Sequence, residues 1–172
     1  MTTNWAFARN ITQHSEVEQH VSWRGEDTGF SGIKSDLYGA VVTSSDLYHT
    51  ANLTVNNRRT KTYYLYLTDF NLINVPETIT GVEVVINMDR RGRITDDTIQ
   101  LLHNGVFIGN SLADFKLDQN KIYGSETDTW AANLTNEMVL DPTFGVGVRF
   151  QSHPSWPHKD SARINYIKLR VW

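Results

Sequence analysis

Several residue types and segments that carry recognisable chemistry are absent from this chain of 172 residues. It has no cysteine, which excludes a disulfide framework, a thiolate metal site and a cysteine nucleophile. No stretch approaches the roughly 20 apolar residues of a membrane span, and residues 1–10 lack the basic flank and apolar run of a signal peptide. Sixteen Lys and Arg against 19 Asp and Glu argue against neutralising nucleic-acid phosphates as a main function. We therefore expect one untargeted, soluble globular domain that binds neither nucleic acid nor a membrane.

Apolar residues at helical spacing are also missing, whereas strand-forming residues such as Thr, Val, Ile and the aromatics are abundant. In three segments every second residue is apolar, so each would have one dry and one wet face. The pattern predicts an all-β fold, an antiparallel two-sheet β-sandwich of jelly-roll-like form. The predicted strands are 61–68, 81–88, 98–103, 106–109, 144–151 and 164–172.

Turn-forming residues separate these strands. Asn104 and Gly105 predict a tight hairpin, because both central residues of a type I′ turn need positive φ. Thr135 predicts the cap of a short helical turn that reaches Leu140. The remaining connections are predicted as loops, at 71–80, 90–97, 118–128 and 152–161.

The first 35 residues show no stable period and predict an extended N-terminal arm or a loosely packed edge segment, followed by the β-sandwich over residues 36–172. Apolar rings on an extended arm would be exposed to water, so a partner subunit is expected to cover them. The arm residues predicted to bind a partner are Trp5, Phe7, Ile11 and Trp23.

No arrangement of residues selects a catalytic or metal site. The six histidines lack the spacing that places two ring nitrogens on one helical face, and no G-x-S-x-G motif is present. Asp96 and Asp97 lack the pattern of a calcium loop, so they are interpreted as a turn cap before a strand at Thr98. We expect a protein without enzymatic activity, metal or cofactor, while a hydrolase assembled from distant residues stays open.

Two basic clusters lie near predicted strand ends. Arginines this close repel one another, which favours an acidic partner surface facing them. Solvated loops compensated by neighbouring aspartates explain them equally well. The arginines assigned to partner binding are Arg58, Arg59, Arg90, Arg91 and Arg93.

Five tryptophans raise a carbohydrate-binding alternative, because sugar rings stack on exposed aromatic faces. Trp156 lies between two prolines in a predicted loop and is the candidate stacking residue. Trp130 and Trp172 are equally well explained as core or interface anchors.

From Thr68 onward the order of motifs resembles a family of small β-sandwich structural proteins of tailed bacteriophages and prophages. The resemblance depends on ITGVEVVINMDRRGRITDDTIQLLHNGVFIGN, YGSETDTWAANLT, FGVGVRF and ARINYIKLRVW. Asn165 stands where the family commonly has Asp, and Ala131 where Gly often follows the Trp. The matching residues are Ile79, Gly81, Val82, Glu83, Val84, Tyr123, Gly124, Asp128, Trp130, Tyr166, Ile167 and Val171.

The resemblance implies a non-enzymatic virion structural protein, assembled in the host cytoplasm. Its expected role is capsid decoration or cement, binding the major capsid protein or other virion proteins as a homo-oligomer, with a trimer favoured. The alternative is a carbohydrate-binding or receptor-binding tail or fibre domain that uses Trp156.

Overall fold

The computed structural model describes residues 2–14, 49–53, 61–62, 64–91, 93–116, 118–152 and 160–172. The described residues form ten strands and one short helix. In chain order these are β1 (Ala6–Phe7), β2 (Asn10–His14), β3 (His49–Leu53), β4 (Tyr64–Thr68), β5 (Val82–Arg91), β6 (Ile94–His103), β7 (Val106–Ile108), β8 (Asn120–Ser125), α1 (Asn136–Leu140), β9 (Gly145–Ser152) and β10 (Asp160–Val171).

The strands form two five-stranded antiparallel sheets. Sheet A has the order β1-β10-β5-β8, and β3 also pairs with β10. Sheet B has the order β2-β4-β9-β6-β7. The prediction of an all-β, two-sheet sandwich is therefore confirmed.

The core consists of alternate residues on the central strands of both sheets. Burial of these apolar side chains is the main force that holds the sandwich together, at about 25 cal/mol per Å² removed from water. The alternation predicted from sequence is confirmed, because the apolar members of the three patterned segments are all buried. They are Val82, Val84, Ile86, Val146, Val148, Phe150, Ile167, Leu169 and Val171.

Residues 2–14 form edges of the two sheets instead of a projecting arm. β1 pairs with β10 in sheet A, and β2 pairs with β4 in sheet B. Ile11 is only 5% exposed and belongs to the core together with Ala8. The edge-segment alternative thus describes these residues, and the extended arm does not. The period is lost in the sequence because two short strands join different sheets and the alternation restarts between them.

The tight turn and the helical turn are found where the sequence predicts them. Asn104 and Gly105 have φ of 53° and 74°, as a type I′ hairpin requires. The Thr135 hydroxyl accepts a hydrogen bond from the Met138 N–H at 3.2 Å and caps α1.

Two of the predicted loops are wrong. β5 continues to Arg91 and β6 begins at Ile94, so most of 90–97 is strand. The segment 118–128 contains β8, an edge strand in which Tyr123 alone is fully buried. One buried side chain leaves no alternation to detect, which is why the sequence suggested a loop.

Residues that carry the family resemblance meet beside Val82 on sheet A. The Trp130 indole N–H donates to Val82 O at 2.9 Å, and the Val82 N–H donates to Asp128 O at 3.0 Å. The Asp128 carboxylate accepts from the Trp130 N–H at 2.7 Å. Gly124 has φ of 75°, and a Cβ there would lie 2.1 Å from Val82 O. These residues therefore join β5, β8 and the chain that follows β8.

Candidate binding face

The outer face of sheet A carries a row of alternating rings and cations, here called the aromatic–cation ladder. It consists of Tyr166, Lys168, Trp5, Arg170 and Trp172. Ile167, Leu169 and Val171 face the core, so Tyr166, Lys168 and Arg170 project from the opposite face of β10. Trp5 reaches the same face because β1 pairs with β10 through Ala6 and Leu169.

Each ladder cation stands over at least one ring. Lys168 Nζ lies 4.5 Å from the centroid of the Trp5 ring and 5.7 Å from that of Tyr166. Arg170 Cζ lies 4.4 Å from the Trp5 centroid and 4.5 Å from the Trp172 centroid. These separations are within the range of cation–π attraction, so each side chain restricts the conformation of its neighbours.

Hydrogen bonds fix the end of the ladder formed by Arg170 and Trp172. The Glu83 carboxylate accepts from Arg170 Nε and, at 3.2 Å, from the Trp172 indole N–H. The N-terminal segment is held along β10, since the Thr3 N–H donates to Val171 O at 2.9 Å. The Val171 N–H in turn donates to the Thr3 hydroxyl at 2.8 Å. Trp172 and the segment that carries Trp5 are thus held in place before any partner arrives.

The charge of the ladder is only partly compensated. Arg170 forms an ion pair with Glu83. Lys168 has ring contacts, and within the described ranges it makes no salt bridge. Tyr, Trp and Arg are the residues most enriched at the energetic centres of protein interfaces, and an uncompensated cation beside them suits an acidic partner.

The structure brings two of the predicted partner-binding residues to this face. Trp5 is a member of the ladder, and Phe7 packs edge-on against Tyr166 with 6.2 Å between ring centroids. Both are half-buried, so they are not the fully exposed rings expected of an arm. The prediction that Ile11 binds a partner is corrected, because its side chain is buried in the core of its own chain and is not accessible to a partner.

Of the five arginines assigned to partner binding, Arg90, Arg91 and Arg93 are among the described residues. The backbones of Arg90 and Arg91 belong to β5, opposite Ala162 and Ser161 of β10. Arg93 is exposed between β5 and β6. Trp23, Arg58, Arg59 and Trp156 lie outside the described residues, so the carbohydrate-binding alternative stays a prediction.

Sequence reasoning missed Tyr166, Lys168 and Arg170. The alternation in INYIKLRVW contained the necessary information, because the residues between the buried ones must share the outer face. Their contact with Trp5 depends on pairing between β1 and β10, which lie at opposite ends of the chain.

A second polar cluster lies inside the sandwich and centres on Asp96 and Asp97. Both residues are within β6, at a bulge between Asp96 and Thr98, so their interpretation as a turn cap is wrong. Asp96 is 0% exposed, and its Oδ2 accepts from Lys121 Nζ and from the Tyr123 hydroxyl, each at 2.9 Å. Burial and the neighbouring Asp96 carboxylate raise the pKa of Tyr123 well above its usual range.

The bulge directs Asp97 to different partners. Its Oδ2 accepts from Arg149 Nε at 2.6 Å, and its Oδ1 lies 2.8 Å from Lys61 Nζ. These contacts tie β6 to β9 and to the segment before β4. Each buried carboxylate of the pair is thus matched by a cation, which is the arrangement expected of a structural network.

Among the described residues, no three His, Cys, Asp or Glu side chains are grouped so that they could hold a metal ion. No helix in the described ranges is long and apolar enough to cross a membrane. Comparison with known protein families, with curated proteins and with solved structures found no match.

Proposed function

We propose that this chain is a non-enzymatic structural protein that binds another protein through the aromatic–cation ladder of sheet A. The observation that carries the proposal is Lys168, a cation held over the ring of Trp5 that forms no salt bridge with any residue the structure describes. A fixed cation beside aromatic rings loses little conformational freedom on binding, so more of its interaction energy appears as affinity. The rings supply apolar area, and the cation determines orientation against an acidic surface.

The more specific proposal is a capsid decoration or cement subunit of a tailed bacteriophage. Its support is the sequence resemblance, together with a sandwich whose motif residues Gly124, Asp128 and Trp130 serve the fold. In this role the ladder contacts the major capsid protein or another virion protein, and the chain forms a trimer on the shell.

The test is to ask whether the chain belongs to virus-sized particles. Particles released by the source organism are separated on a density gradient, and each fraction is probed with an antibody to the chain. We expect the chain to band with DNA-containing particles in a fixed ratio to their main protein. Recovery only in fractions of unassembled protein contradicts the virion proposal.

The ladder proposal is tested separately from the virion proposal. Light scattering behind a sizing column gives the absolute mass of the full chain at low and high salt. A trimer that dissociates at high salt supports a ladder that binds a second copy through charge. A salt-independent monomer that also fails to bind the particles contradicts a binding function for this face.

A further inference from the structure

A cavity of about 310 Å³ lies between the segment after β4 and the end of α1. Its apolar lining consists of Phe70, Leu72, Val139 and Phe144, all buried, together with Pro142 and with Leu140, which is 52% exposed. The polar part of the lining consists of Asp69, Asn71 and Asp141. The volume is at the lower end of small-molecule sites, so the cavity fits a small ligand or one side chain of a partner.

A backbone hydrogen bond joins the two walls of the cavity. The Asp69 N–H donates to Pro142 O at 2.9 Å across the two walls, and within the second wall the Phe144 N–H donates to Asp141 O at 2.9 Å. The Asp141 carboxylate is oriented by Thr143, whose N–H and hydroxyl donate to Oδ1 at 2.8 and 2.7 Å. The cavity is therefore formed without a ligand, and little ordering remains to be done on binding.

The lining carries negative charge and no Lys or Arg. The hydrogen bonds from Thr143, and more weakly the neighbouring His103, hold the pKa of Asp141 below its usual range. Asp69 is a half-buried residue, and its side chain makes no hydrogen bond or ion pair with the other described residues. Arg9 is close in the fold, since its N–H donates to Asp69 O at 3.0 Å, but its exposed side chain forms no ion pair there among these residues.

We propose that this cavity binds an alkylammonium group, with the ammonium beside Asp69 and the alkyl chain against Phe70, Leu72 and Val139. A neutral apolar ligand would leave the Asp69 carboxylate partly desolvated without a partner, whereas a cation compensates it. A free amine and a lysine side chain of a partner share this chemistry. The cavity and the ladder are formed by different elements, so the test of amine binding is independent of the test of the proposed function.

The probes are n-butylammonium and the neutral n-butanol, added to the ¹⁵N-labelled full chain and followed by NMR. We expect n-butylammonium to shift the amides of residues 69–72, 139–141, 143 and 144 in a saturable way, and n-butanol to bind at least about threefold more weakly. A short peptide with one lysine, compared with its norleucine counterpart, distinguishes the two sources. Binding of the lysine peptide indicates a partner protein, and binding of the free amine alone indicates a small molecule.

The matched variants are Asp69→Asn and Glu126→Gln. Asn tolerates the left-handed backbone of Asp69, whose φ is 55°, so the first variant removes charge without straining the fold. We expect Asp69→Asn to weaken n-butylammonium binding about three- to fivefold, and Glu126→Gln, on an exposed residue, to leave it unchanged. Equal binding of n-butanol and n-butylammonium, no saturable shift, or an unchanged affinity in Asp69→Asn overturns the proposal.

Discussion

At the scale of single residues, Lys121 compensates the buried charge of Asp96. It lies on the edge strand β8 with its ammonium turned inward, 2.9 Å from Asp96 Oδ2 and 2.6 Å from Lys116 O. A charge turned inward on an edge strand also discourages pairing with other chains. The same side chain thus stabilises the interior and protects the edge of sheet A.

Replacing this lysine tests its role. Lys121→Met should lower the free energy of unfolding by about 3 kcal/mol or more, because Asp96 would keep a buried charge without a cation. The control Lys116→Met removes the same charge from an exposed side chain and should change stability by less than about 0.5 kcal/mol. The measurement is the urea midpoint of unfolding of each variant, and equal midpoints for Lys121→Met and Lys116→Met would contradict the stabilising role of Lys121.

Tyr123 gives the fold a dependence on alkaline pH. Its pKa is raised in the folded state, so its contribution to stability is complete below the unfolded value of about 10 and is lost as pH rises further. The free energy of unfolding should therefore fall more steeply above pH 10 in the wild type than in Tyr123→Phe. Denaturant titrations at several pH values measure both slopes, and parallel slopes would show that Tyr123 ionises normally.

At the scale of elements, the junction of β5 and β8 depends on a glycine. Gly124 has positive φ, and a Cβ would lie 2.1 Å from Val82 O and 2.6 Å from Trp130 Nε1. Gly105 has nearly the same φ, but no atom lies within 4 Å of its Cβ position. Comparing substitutions at the two glycines therefore separates the cost of backbone strain from the cost of steric overlap.

Alanine substitution at both positions measures these contributions. Gly105→Ala should cost about 1–2 kcal/mol from the left-handed backbone alone. Gly124→Ala should cost more than about 3 kcal/mol or prevent folding, because the Trp130 hydrogen bond must also break. Thermal unfolding gives the comparison, and a Gly124→Ala variant as stable as Gly105→Ala would show that the overlap is relieved at little cost.

The elements also show which local patterns the sequence reveals. Strands with a dry face, such as β5 and β9, are visible because every second residue is apolar. β8 cannot be predicted from the alternation because it lies at an edge and buries few side chains. The bulge at Asp97 cannot be predicted because it depends on pairing with β9. The aromatic–cation ladder cannot be predicted from local patterns either, because contact between Trp5 and Arg170 requires β1 to pair with β10.

At the scale of the whole molecule, residues 2–14 contribute to both sheets. Deleting them would remove Ile11 from the core and one edge from each sheet. Loss of binding by a truncated chain would therefore report damage to the fold, and point substitutions are needed to examine the binding face.

Ile11 measures how far the N-terminal segment belongs to the fold. Ile11→Ala should lower the free energy of unfolding by about 2–4 kcal/mol, the cost of a cavity in an apolar core. Ile73→Ala truncates an exposed side chain of the same type and should change stability by less than about 0.5 kcal/mol. If the two variants had equal free energies of unfolding in guanidinium, Ile11 would not belong to the core, and the prediction of a projecting arm would hold.

The most direct measurement compares binding of wild-type chain, Lys168→Glu and Lys116→Glu to particles that have been washed free of the chain. Both variants reverse one positive charge, but only Lys168 stands over Trp5 in the ladder. The account predicts that Lys168→Glu binds at least about tenfold more weakly while remaining folded, and that Lys116→Glu binds like the wild type. Binding of Lys168→Glu at wild-type affinity would contradict the claim that this face recognises the partner.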